Sequence, residues 1–265
     1  MNGEARSLGA IHVDLNRIRE RDKNKYITNY YRQPLKESMY QTWSSECSIL
    51  FLDPDTSLFR VYFATIDTND LGKVFAEISL QVPLTLDYIG KNLSESIEKI
   101  LLSSGFTLRA VFRRINNYQF RNFQNKEQVV WGTIVDGEEL LERIQSDFDP
   151  YVDHLPNFDF LTEILKKQWV LVNRREHRIT GYLLFDLQGR HALIRSWFSS
   201  NSDIPMGGMV LLGKFHRVMT SLDVNSTFGW VNQDNSIATM IYRRFGYQFD
   251  GLKDFIFVRQ PCSEL

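Results

Sequence analysis

Residues 235–251 read NSIATMIYRRFGYQFDG, and the rest of the chain is interpreted outward from them. On a helix of 3.6 residues per turn, Asn235, Ala238 and Tyr242 fall at i, i+3 and i+7 and share one narrow face. Ile237, Met240 and Ile241 form a separate apolar stripe, expected to serve the core. The small Ala238 then leaves room beside the first face, and one amide and one phenol are expected to project into an open crevice there. Gly246 closes the helix, since glycine adopts the left-handed backbone of a helix C-terminus without a Cβ penalty. DFIFVRQ after it is the last strand. Taken singly, Asn235 also suits an N-cap, and Tyr242 a core tyrosine with its hydroxyl satisfied.

The same outline occurs earlier, in SESIEKILLSSGFTLRAVFRRI, residues 94–115. Aligning Gly105-Phe106 on Gly246-Tyr247 sets Leu101 opposite Tyr242, Ile97 opposite Ala238 and Ser94 opposite Asn235. The first copy keeps the architecture and lacks the polar groups, which predicts a duplicated unit whose amino-terminal copy has lost its site. Before it, SILFLD and LFRVYFATID form a hairpin across a turn at Pro54-Asp55, then come helix DLGKVFAEISL and strand LTLDYIG. A weak stripe in IHVDLNRIRERD suggests a further helix near the amino terminus. After the polar stretch NNYQFRNFQNKEQ, the best linker, the second half runs in a similar order. Helices GEELLERIQSDF and FDFLTEILKK precede the hairpin from Trp169 to Asp186, strand GRHALIRSWFSS, helix MVLLGKFHRVMTSL and strand STFGWVN. The predicted domains are 1–120 and 125–265.

Composition narrows the classes. With 43% hydrophobic and 24% charged residues among 265, the chain has ample core material for one large domain or two modest ones. A net charge of -1 supplies no global field for nucleic acid or acidic membrane, so any anion site is local. Cys47 and Cys262 lie far apart with no metal-ligand spacing, which argues against a disulfide framework and a zinc site. No apolar run is long enough to cross a bilayer, and the expected location is the cytoplasm. G-x-S-x-G, H-E-x-x-H and Walker loops are absent, and RREHR reads as a solvated hairpin turn.

The pattern N-x-x-A-x-x-x-Y-x-x-x-G-[FY] between two strands resembles the last motif of the GCN5-related N-acetyltransferase (GNAT) family, matching Asn235 to Tyr247 without a gap. The flanking elements keep that family's order over roughly residues 125 to 262. The resemblance implies an α/β (α+β) tandem GNAT-like fold with a central, mostly antiparallel mixed sheet flanked by helices, the first half being degenerate and truncated. It implies acetyl-coenzyme A as cofactor, Tyr242 as the phenol that protonates the departing thiolate, and Asn235 as a cofactor contact. Reference pKa values near 10 for a phenol and 8.5 for a thiol make that proton return local. Trp197 and Phe198 fall on the strand whose backbone pairs with the pantetheine arm, where side-chain identity is not expected to matter.

In that family the diphosphate is held by a loop of the form [RQ]-x-x-G-x-[GA] opening a helix. Loop length places Asp203 at the basic or amide position, Met206 at the first glycine and Gly208 at the second, so only the last fits. A carboxylate at 4 Å from a phosphate charge is opposed by about 1 kcal/mol in water and about 4 at an effective dielectric of 20. Gly207, Gly208 and the amides of Met209 and Val210 remain as a cradle, with Lys214, His216 and Arg217 as local positive charge. The strand ALIRSWFSS lacks the Glu that many members use as general base. Asp186 and His191 flank the turn into it by proximity only, and the base stays unassigned.

The implied activity is transfer of an acetyl or other acyl group to a small-molecule or peptide amine, with the amino-terminal half completing the acceptor pocket or a dimer contact. Two alternatives stay open. Tandem domains of this fold with a poor diphosphate loop are similar to aminoacyltransferases that draw on aminoacyl-tRNA, the one nucleic-acid partner to consider. Alternatively, both units are inactive scaffolds that bind a protein or a small ligand.

Overall fold

In the computed structural model, which describes residues 3–31, 35, 37–55, 57–121, 129–200 and 207–261, the chain separates into two units. Unit 1 holds Met1–Val111 and Lys253–Leu265; unit 2 holds Phe112–Leu252.

Unit 1 begins with β1 (Glu4–Ser7), α1 (Leu8–Arg21), β2 (Ile27–Thr28), β3 (Met39–Ser44), β4 (Ser48–Asp55) and β5 (Leu58–Thr65). It continues with α2 (Thr68–Ala76), β6 (Leu84–Gly90), α3 (Glu95–Ser103) and the start of β7 (Thr107–Asn117). Its strands run in the order β1-β3-β4-β5-β6, with β2 added to β5. Helix α1 forms because Ile11, Leu15 and Ile18 recur on one face and Ser7 caps its first turn, accepting the amide of Ala10 at 3.3 Å. That face packs with Tyr30, Phe51 and Tyr62. Leu71, Phe75, Ile97 and Leu101 of α2 and α3 fill a second core with Phe63 and Leu86.

Unit 2 contains β8 (Val129–Trp131), α4 (Gly137–Asp147), α5 (Phe158–Lys166), β9 (Val170–Arg175), β10 (Arg178–Gln188) and β11 (His191–Ser199). Then follow α6 (Gly207–Ser221), β12 (Ser226–Asn232), α7 (Ser236–Arg244) and the start of β13 (Gln248–Arg259). The strand order is β7-β12-β11-β10-β9-β8, antiparallel except for the β11–β12 pair. Leu140 and Ile144 of α4 with Leu161 and Leu165 of α5 cover one core. Leu211 and Phe215 of α6 with Ile241 and Phe245 of α7 cover the other. Fully burying a side chain of this size stabilises by about 1.5–3 kcal/mol, so these stripes carry the fold.

The repeat predicted from sequence is present bond by bond. Helices α3 and α7 are nine residues each. Gly105 and Gly246 follow them at φ +83° and +90°, the left-handed region that favours glycine. The next residue turns its amide back onto the last turn in both copies: Phe106 to the Leu101 carbonyl at 3.0 Å, Tyr247 to the Tyr242 carbonyl at 3.1 Å.

Four expectations are corrected. The linker and the 120/125 division give way to a boundary inside two long strands. Phe112–Asn117 of β7 pair with β12 in unit 2, whereas Lys253–Arg259 of β13 pair with β6 in unit 1, so the last strand does not stay with residues 125–265. Of the proposed linker, residues 122–128 lie outside the described residues. Strand β4 runs through Pro54 and Asp55, which pair with Phe59 and Leu58, since a strand end tolerates the missing proline amide; the turn comes later. Strands β1, β2 and β3 lay in polar sequence and were not expected. Finally, Ile237 and Met240 are exposed, and α7 instead buries Ala238, Ile241, Tyr242 and Phe245, a continuous i, i+3, i+4, i+7 face.

Candidate functional site

Within unit 2, β11 and β12 pair in parallel from His191 with Ser226 to Ile194 with Gly229. Both strands then continue, β11 to Ser199 and β12 to Asn232, each still paired on its other side. Arg195 marks the parting. It is the extra residue of a bulge, for Phe185 pairs with Ile194 and Leu184 with Ser196. Its guanidinium is held by Asp186 at 2.5 Å and lies over the Phe160 ring at 4.7 Å. Beyond the bulge the facing edges of β11 and β12 have no strand partner among the described residues and form a wedge, the kind of edge that an extended ligand can join by main-chain hydrogen bonds.

Tyr242 and Trp197 meet beside this wedge. The indole Nε1 of Trp197 donates to the Tyr242 hydroxyl at 2.6 Å, and the rings stand perpendicular with centroids 5.8 Å apart. Tyr242 is 2% exposed. Burial raises its pKa above the ordinary phenol value, with the Trp197 bond pulling the other way, so the group is protonated at neutral pH. Among the described residues its O–H has no acceptor. The indole also lies on the first turn of α6: a Cβ on Gly208 would come within 2.4 Å of the Trp197 ring. The phenol therefore does not look into an open crevice, as its helical face had suggested. The side chain of Trp197, expected to be immaterial, covers it.

Gly207, Gly208, Met209 and Val210 form the buried first turn of α6. The amides of a first helical turn lack intrahelical acceptors. Asp203 and Met206 lie outside the described residues. Asn235 caps α7, its Oδ1 accepting the amide of Ala238 at 2.9 Å. Phe198 alternates to the opposite face of β11 from Trp197 and packs with Tyr182. His216 is not local positive charge. It is 1% exposed, with Nδ1 accepting the Arg121 amide at 3.2 Å and Nε2 3.2 Å from the Tyr247 hydroxyl, and burial pushes its pKa down to about 4. His191 pairs with Ser226 at 2.7 Å, at the closed end of the β11–β12 pair, and Asp186 is engaged by Arg195.

Unit 1 contains the same wedge, and it is filled. Among the described residues, strands β5 and β6 pair in parallel at Phe59 with Leu84 and at Arg60 with Thr85. Residues 27–31 enter beyond that point. β2 pairs with Ala64 and Thr65, and the buried Asn29 bridges the two strands. Its Oδ1 accepts the Phe63 amide at 2.6 Å, while Nδ2 donates to the Val61 carbonyl at 2.8 Å and the Asp87 carbonyl at 3.1 Å. Tyr31 reaches on to the Ile89 carbonyl at 2.7 Å. No local sequence signal marks Asn29 or the indole of Trp197, because their partners are 32 to 58 and 45 positions away.

The fold as a whole has counterparts among solved structures. A GCN5-related N-acetyltransferase from Sphaerobacter thermophilus is similar with TM-score 0.57 and 12% identity, over 86% of this chain and 80% of that one. The chain has the fold of the GCN5-related N-acetyltransferases. A Drosophila protein matches with TM-score 0.60 and 12% identity over 98% and 100% of the two chains. A tandem GNAT protein from the clavulanic acid biosynthesis pathway matches with TM-score 0.50 and 10% identity over 88% and 82%. At these identities the likeness is one of fold. No protein-family model matches the chain, and no curated protein matches it.

Coenzyme A, which the GNAT fold implies, needs an open strand edge for its pantetheine amides and amide donors for its diphosphate. The edge of β11 beyond Ile194 and the first turn of α6 provide these two kinds of donor. Among the described residues the donors fit the group, and the Trp197 indole obstructs it beside Tyr242. No helix among the described residues is long and apolar enough to cross a membrane.

Proposed function

We propose that this protein transfers an acyl group, acetyl in the simplest case, from coenzyme A to an amine of a small molecule or peptide. The observation that carries this is the parting of β11 from β12 at the Arg195 bulge, next to a buried phenol whose proton has no acceptor among the described residues. A bound acyl thioester supplies an activated carbonyl and a thiol leaving group. The chain's own part is electrostatic and positional. Unpaired β11 amides hold and polarise a carbonyl oxygen placed in the wedge. As the amine nitrogen bonds to the carbonyl carbon and the carbon–sulfur bond breaks, the Tyr242 hydroxyl, kept protonated by burial, gives its proton to the departing sulfur. It regains one from the attacking nitrogen, directly or through solvent, so that an N–H is exchanged for an S–H. Gly207 to Val210 offer first-turn amides to a diphosphate. Unit 1 contributes no second site, because Asn29 and its neighbours already satisfy the strand edges that such a group would need.

The test is calorimetry with acetyl-coenzyme A, followed by thiol release in the presence of a panel of small and peptide amines. Heat with one site per chain, and amine-dependent thiol release, are expected. No heat up to millimolar concentration removes the proposal.

A further inference from the structure

The two wedges differ in what stands at them. In unit 1 the plug is main chain: β2 is a paired strand and Asn29 bonds both edges, so opening it means unfolding a segment. In unit 2 no described segment enters the wedge, and what covers the phenol and the helix start beside it is one side chain. The Trp197 indole spends its N–H on the Tyr242 oxygen and rests its six-membered ring on Gly208, the helix residue whose missing Cβ makes room for it. Rotation about its own side-chain bonds removes the indole from both and breaks no backbone pairing. Trp197 remains partly exposed, so it has solvent to turn towards.

We infer that Trp197 is a gate that holds the place of the acyl donor: its indole occupies the Tyr242 hydroxyl and covers the first turn of α6 until the donor displaces it. The inference rests on the acyl-donor reading of the wedge and adds a closed state to it. Binding must displace the indole, so the apparent affinity for coenzyme A is the intrinsic affinity reduced by the fraction of molecules in which the gate is open. The indole N–H also keeps the Tyr242 oxygen hydrogen-bonded while no donor is present. Trp197 is thus a positioning residue, acting through Tyr242 and the α6 start.

The experiment uses the full chain labelled with 5-fluorotryptophan, coenzyme A as the probe, and the variant Trp197→Phe, which keeps a ring and loses the N–H. Assigning the Trp197 fluorine signal needs only its disappearance in the variant, and the ligand-induced shift is then read on the unmutated chain, so the result does not depend on how well the variant packs. The expected result is that coenzyme A moves the Trp197 signal and that Trp197→Phe binds it roughly five-fold tighter, the equivalent of losing one competing hydrogen bond. Binding by the variant but not by the unmutated chain is the extreme form of the same result. If coenzyme A binds the unmutated chain with the Trp197 signal unmoved and the variant no tighter, the gate is wrong and the donor site stands. If neither chain binds it, gate and donor site fall together.

Discussion

His216 Nε2 lies 3.2 Å from the hydroxyl of Tyr247, inside the core of unit 2, and its Nδ1 receives the amide of Arg121 at 3.2 Å. The second bond requires a bare Nδ1, which places the single ring proton on Nε2 and the ring in its neutral form. Burial holds the pKa near 4, whereas the unfolded chain titrates near 6.5. The unfolded state therefore takes up the proton first. Stability from this residue is complete above pH 6.5 and is lost as pH falls through 6.5 towards 4, by on the order of 3 kcal/mol. Urea unfolding of the parent and of His216→Gln between pH 7.5 and 4 checks this. The parent should lose more, by about that amount; parallel pH profiles would show that the imidazole titrates freely.

Asn29 gives the second prediction. Its three bonds serve one amide and two carbonyls at the mouth of the unit 1 wedge, and the residue is 4% exposed. Asn29→Ala leaves three backbone groups without that partner, at about 1–3 kcal/mol for each one that water does not reach. A loss of roughly 3 kcal/mol or more in unit 1 is expected, seen as faster amide exchange at Phe63 with unit 2 unchanged. Asn29→Asp should be no better, since a carboxylate faces the Val61 and Asp87 carbonyls. Wild-type exchange rates in Asn29→Ala would mean that the bridge holds nothing together.

How much of this was legible in the sequence follows from how local each signal is. The duplicated helix–glycine–strand unit rests on bonds spanning five residues, Leu101 to Phe106 and Tyr242 to Tyr247, and so appears in a linear pattern. Helical and strand periodicity likewise located α2 to α7, β4 to β7 and β9 to β13, whereas the three-residue β8 is too short to show a period. Strands β1 to β3 escaped because they form in polar sequence through pairing with distant strands, and the exchange of β7 and β13 between units because strand partners are not a local property. At the candidate site the face bearing Ala238 and Tyr242 was recognised, but it turned out to be the core face. A helical projection shows which residues lie together, not whether an indole from a strand 45 residues away covers them.

The turn between β9 and β10 yields a third prediction. Glu176 and His177 sit at φ +49° and +70° between the paired Arg175 and Arg178, a two-residue hairpin turn with both central residues in the left-handed region. Such a conformation costs an ordinary residue about 1–2 kcal/mol. Both side chains are exposed. The double substitution Glu176→Asn, His177→Gly should stabilise unit 2 by about 1 kcal/mol, raising its melting temperature by a few degrees without altering ligand binding. A lower melting temperature would mean that the turn has another geometry in solution.

Tyr242→Phe separates chemistry from packing. The phenol is protonated at neutral pH because burial raises its pKa, and its O–H is unused among the described residues, so removing it takes away a proton donor and an acceptor for the Trp197 N–H. Loss of the acceptor strands a partly buried N–H and costs about 1 kcal/mol of stability. Loss of the donor should lower kcat for amine acylation about 10²-fold, with KM for the acyl donor little changed or slightly reduced, since the phenol's contribution is made when the sulfur departs and the indole, having lost its acceptor, is held less firmly over the site. Steady-state kinetics with thioesters of graded leaving-group pKa give the decisive split. A donor role predicts that the variant recovers towards the parent as the leaving thiol becomes more acidic, because a better leaving group needs less protonation. A uniform loss across the series, or none, would assign Tyr242 to the core alone.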